Sequence, residues 1–89
     1  MSEDWVRRER SFRGISKRLA IQYLENLGAE QVDDDRVEAD DWAADLSEQT
    51  VGIGPSVSLT QVDLTFEGDP EMLDSLIERF AQKAMRAGG

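Results

Sequence analysis

The sequence predicts an α+β domain of order β-α-β-β-β-β-α, an antiparallel sheet with two helices packed on one face. Three observations carry that expectation. Apolar residues alternate with polar ones at the start of the chain and again through residues 42–66. Helical apolar spacing marks two other stretches, one after the first alternating run and one at the C-terminus. Eighty-nine residues make a single domain, 1–89, with a modest core.

Residues 1–5 are expected as a loose N-terminal tail. Val6, Arg8, Arg10 and Phe12 then alternate with Arg7, Glu9 and Ser11, which predicts a first strand ending at Gly14. Its apolar content is thin, so it reads as an edge or one-faced strand. The run ISKRLAIQYLENLG predicts a helix. Ile15, Leu19, Ala20, Tyr23, Leu24 and Leu27 fill one half of its wheel, Ile21 is the outlier, and Gly28 sits where a C′ glycine belongs. AEQV and VEAD, about the polar turn DDDR, predict two short strands. The last helix opens at EGDPEM, with Asp69 as N-cap, Pro70 at N1 and Glu71 in the first turn. Leu73, Leu76, Ile77, Phe80, Ala81 and Ala84 form its buried stripe.

Between the helices lies WAADLSEQTVGIGPSVSLTQVDLTFEG. Taking Gly54-Pro55-Ser56 as a three-residue loop sets Ile53 opposite Val57, Val51 opposite Leu59, Leu46 opposite Leu64 and Ala44 opposite Phe66. Trp42, Ala44, Leu46, Val62, Leu64 and Phe66 then share one face. Val51, Ile53, Val57 and Leu59 share the other, because a change of parity moves side chains across a sheet. Two outcomes are open: an apolar hairpin tip facing away from the helices, or facing bulges that return those four residues to the core.

The element order, the long hairpin around GIGPS and the FEGDPE that follows it resemble the TATA-binding-protein-like fold. More narrowly, residues 6–87 resemble the accessory C-terminal domain of proteins related to the small subunit of molybdopterin synthase. In such proteins a ubiquitin-like domain precedes this module, and none is found in these 89 residues. The resemblance carries over no functional residue.

The chain holds no cysteine and no histidine, which leaves out disulfides, thiolate sites, imidazole bases and Ser-His triads. No catalytic residues, cofactor or metal are therefore expected. Asp33, Asp34, Asp35, Asp40 and Asp41 miss the EF-hand spacing and read as solvated acids. No apolar run spans a membrane and no signal-peptide core leads the chain, so a cytoplasmic protein is expected.

The net charge is −9, with ten Asp among the acids and eight Arg against two Lys among the bases. That balance resembles the proteome of a halophilic archaeon, where an acidic shell maintains solubility in brine. Residues 7–18 go against it, with six basic side chains and one acidic, or +5.

Three functions follow. The first is a non-catalytic domain for protein association that forms homodimers, or meets another protein, through Val51, Ile53, Val57 and Leu59. The second is a diglycine-tailed sulfur carrier or ubiquitin-like modifier in molybdopterin or sulfur metabolism, acting through Gly88 and Gly89. A tail that follows a helix argues instead for Gly88 as a C′ cap. The third is an anion site, or a nucleic-acid surface that the net charge disfavours, at Arg8, Arg10, Arg13, Lys17 and Arg18. Self-repulsion at −9 gives a direct expectation: the unfolding midpoint rises from dilute buffer to molar KCl. A midpoint that stays flat over that range contradicts the salt-adapted reading.

Overall fold

A computed structural model describes the backbone of residues 4–88 and the side chains of residues 4–85. The elements are β1 (Val6–Arg13), α1 (Lys17–Asn26), β2 (Glu30–Asp33), β3 (Arg36–Glu38), β4 (Trp42–Gly54), β5 (Val57–Gly68) and α2 (Pro70–Gly88). The strands form one antiparallel sheet in the order β1-β5-β4-β3-β2. Both helices cover the same face, so the predicted class and element order are those of the structure. No described helix is long and apolar enough to cross a membrane.

The core follows from strand parity. Trp42, Ala44 and Leu46 of β4 and Val62, Leu64 and Phe66 of β5 are buried on the helix side, with Val37 of β3 beside them. Leu24 and Ala20 of α1 and Leu73, Leu76 and Phe80 of α2 close over that row. Phe80 is the hub. Its ring meets Phe12 at 5.0 Å, Tyr23 at 6.0 Å and Phe66 at 6.1 Å, each edge to face.

The helix ends obey local chemistry. Ser16 caps α1, its hydroxyl accepting from the Leu19 N–H at 3.1 Å. At the other end Gly28 adopts a φ of 110°, donates to the Glu25 carbonyl, and lets Ala29 donate to Leu24. That pair of bonds is a Schellman ending. Asp69 Oδ1 accepts from the Glu71 N–H at 3.0 Å and starts α2.

Outside the β4–β5 hairpin the structure departs from expectation at four places. Helix α1 begins at Lys17 rather than Ile15, because the Ser16 cap is extended, yet Ile15 is still buried. Ile21 is buried rather than an outlier, because the core wraps past the α1 axis toward the short strands. Trp5, expected in the loose tail, lines a groove with Arg36, Glu38, Ala39 and Ala43 on the sheet face away from the helices. Residues 1–3 lie outside the described residues. Finally, α2 runs through Gly88, which is its last residue rather than the residue after its end, and Gly89 is not described.

Gly68 shows how tightly β5 meets its neighbours. It pairs with Val6 on one side and Trp42 on the other. A Cβ there would lie 2.6 Å from the Asp41 carbonyl oxygen and 2.7 Å from Trp42 Cβ. Gly68→Ala is expected to cost about 1–3 kcal/mol through this overpacking, and Phe80→Ala about 3–5 kcal/mol through the cavity it leaves. Urea unfolding of the two variants checks both values.

Candidate functional site

The candidate surface is built by β4 and β5. Their register is continuous from Trp42↔Gly68 to Gly52↔Ser58, and it includes Leu46↔Leu64 and Val51↔Leu59 as predicted. The turn is tighter than expected. Gly54 pairs with Val57 across Pro55-Ser56, and the register shift between Gly52 and Gly54 leaves Ile53 as the extra residue. Ile53 therefore does not face Val57. No shift interrupts the ladder lower down, so no pair of bulges turns the tip into the core.

This register leaves the tip apolar and uncovered. Ile53 is 53% exposed, Val57 57% and Leu59 39%, while Val51 is half-buried. None of the four belongs to the core cluster. Pairing with β1 ends near Gly14, whose N–H donates to the Thr60 carbonyl, and pairing with β3 ends at Asp45. Beyond those points the hairpin is two-stranded and projects, which gives the molecule a long axis of 46 Å against 24 and 20 Å. Residues 49–62 carry no charged side chain, in a chain one-third charged.

The five basic candidates do not form one site: Arg8, Arg10 and Arg13 lie apart from Lys17 and Arg18. Arg8 and Arg10 stand on the helix side of β1. Their Nη1 atoms donate to the carbonyls of Arg7 at 3.2 Å and Glu9 at 2.7 Å. Gly14 turns its N–H toward β5, so by alternation those two carbonyls lie on the free edge of β1. The arginines thus cover their own strand edge. Arg13 points to the opposite face, where its Nε donates to Gln61 Oε1 at 3.1 Å. Lys17 pairs with Asp35, whose carboxylate raises the ammonium's pKa, first by hydrogen bond and then by charge. The Lys17 backbone N–H donates to Glu48 Oε2 at 2.8 Å, so the positive end of α1 meets the chain's own carboxylate. Lys17 and Arg18 both line a groove of about 490 Å³, together with Ile21, Gln22 and Asp34.

Among the described residues no group of acids gathers as a metal site would require. Asp40 and Asp41 flank a groove of about 260 Å³ between α1 and α2, away from Asp33 and Asp34. The sheet face opposite the helices carries a hydrogen-bonded net centred on Asp63. Ser11 Oγ donates to its carboxylate at 2.6 Å, and Gln61 and Gln49 each donate at 2.8 Å.

A family model described as archaeal MoaD-like protein matches residues 8–89. The chain belongs to the archaeal MoaD-like family. The match begins inside β1, takes in every later element and runs through the final glycine pair. No curated protein matches the chain. Within this MoaD-like domain, two features were not read from the sequence. The Arg8 and Arg10 edge caps needed a register that only the fold supplies. The charge-free hairpin was readable, since Glu48 and Asp63 bound a run of fourteen uncharged residues.

The Asp63 net sets a pH dependence. The Ser11 hydrogen bond first, then those from Gln61 and Gln49, hold the Asp63 carboxyl below its ordinary 3.8. A depressed carboxyl adds stability above its unfolded pKa and loses it as pH falls through the folded one. Ser11→Ala is expected to move Asp63 up toward 3.8. The stability gap between wild type and variant is then full above pH 3.8 and closes on acidification below it. Carboxyl NMR titration and urea melts at several pH values check this.

Proposed function

We propose that this MoaD-like chain is a non-catalytic association domain that forms homodimers through the tip of its β4–β5 hairpin. The observation that carries the reading is the exposure of Ile53, Val57 and Leu59 on a projecting segment with no charge. Burying such side chains contributes about 1.5–3 kcal/mol each when coverage is complete. Molar salt strengthens apolar association and screens repulsion between two copies at −9 each. An isologous contact asks only that the patch complement itself. The absence of histidine and cysteine from the sequence supports a role without catalysis.

The test is mass by light scattering in molar KCl. Wild type is expected as a dimer and Ile53→Asp as a folded monomer, since an exposed residue changes fold stability by only about 0.5 kcal/mol. A monomeric wild type contradicts the proposal.

A second reading, the diglycine sulfur carrier or modifier, is favoured by the family match reaching Gly88-Gly89. A carrier end must thread into an activating enzyme, and here α2 continues through Gly88. Deleting Gly88 and Gly89 is expected to cost at most ~1 kcal/mol of helix-end stability and to leave association intact. Intact mass of protein from its native host decides this. A C-terminal thiocarboxylate, or a conjugate with another protein's lysine, would establish the carrier.

A further inference from the structure

From the free edge of β4 we infer how the second copy is held: two β4 strands pair antiparallel about a two-fold axis and join the two sheets into one. This rests on the association reading above and adds the mode of contact. Three backbone bonds fix which groups face outward. The Leu46 N–H donates to the Asp35 carbonyl and the Trp42 carbonyl accepts from Ala39, both on the β3 side. The Thr60 carbonyl turns toward β1, so its partner Thr50 turns away from β5. By the alternation of an antiparallel ladder, Glu48, Thr50 and Gly52 hold their N–H and C=O groups on the open side of β4. β3 ends opposite Asp45, and no described strand reaches them.

The sheet's other edges are guarded in the ways proteins use against strand addition. On β1, Arg8 and Arg10 cap the outward carbonyls, and five of its eight residues are charged. β2 is four residues long and carries Glu30 and Asp33. The β4 edge beyond Glu48 has neither charge nor proline up to Gly54. It is the one long described edge left open.

Charge selects a second copy as the occupant. All 29 charged side chains lie outside residues 49–62. Two copies laid antiparallel along this segment put their acidic bodies at opposite ends, so the uncharged strands meet without bringing the −9 surfaces together. Setting Thr50 opposite Gly52 of the second copy makes outward groups meet outward groups. It also places the two Val51 side chains at the axis, with Leu59 of each hairpin flanking them on the same face.

Hydrogen exchange on wild type in molar KCl tests this without a variant. The Thr50 and Gly52 amides are expected to exchange ~10-fold or more slowly in the dimer than after dilution to monomer. The inward Val51 amide keeps its hairpin protection in both. Thr50→Pro removes only an outward N–H and is expected to give a folded monomer by circular dichroism and light scattering. A wild-type dimer with fast-exchanging Thr50 and Gly52 amides, or a Thr50→Pro that still dimerises, overturns the edge pairing and leaves tip association standing. A wild type that is monomeric throughout overturns both.

Discussion

The β4–β5 ladder is the constraint on which the rest of this structure depends. One register runs unbroken from Trp42↔Gly68 to Gly52↔Ser58. Because it does not slip, every even-numbered residue from 42 to 46 and 62 to 66 meets the helices, and the odd-numbered ones take the opposite face, where Ala43 is buried beside the groove that Trp5 lines. The same register that gives Phe80 its partners therefore puts Val51 and Leu59 on the uncovered face. The core and the candidate surface are two ends of one ladder. A change of register that buried the tip would expose the row beneath Phe80.

Length divides the hairpin into two environments. Its base is flanked by β1 and β3 and roofed by both helices, while its far end outruns every neighbour. Charge follows that division. Arginine, aspartate and glutamate occupy the body, where edges and turns need guarding from unwanted pairing. The hairpin end is built from Val, Ile, Leu, Thr, Ser, Gly, Gln and one Pro. The basic stretch belongs to the same logic, since Arg8 and Arg10 shield a strand edge and Lys17 is held by Asp35. A run that reads in sequence as an anion site is spread by strand alternation over two faces and one helix start.

Elements whose signals are local were legible in the sequence. Gly28, Asp69 and Pro70 mark helix ends because their caps involve only nearby backbone, and the Leu46↔Leu64 register follows from parity and one turn. What the sequence hid depends on distant partners. Ile21 is buried because short strands close the flank of α1, which no helical wheel displays. The turn at Pro55-Ser56 is one residue shorter than the three-residue loop expected, because Ile53 is absorbed as a bulge whose position composition does not fix. The Arg8 and Arg10 caps require knowing which carbonyls β1 turns outward. Exposure of the hairpin tip was readable only as one of two outcomes, and the unbroken ladder decided between them.

The central claim is that two copies lie antiparallel along β4. The chain has no cysteine, so Ser56→Cys, in the turn, accepts a single spin label cleanly. Dipolar spectroscopy in molar KCl would then measure the distance between the two tips. With the axis at Val51, the labels lie at opposite ends of the paired segment, and the account predicts a defined separation of about 20–30 Å. A short tip-to-tip distance, or no intermolecular distance at all, would contradict it.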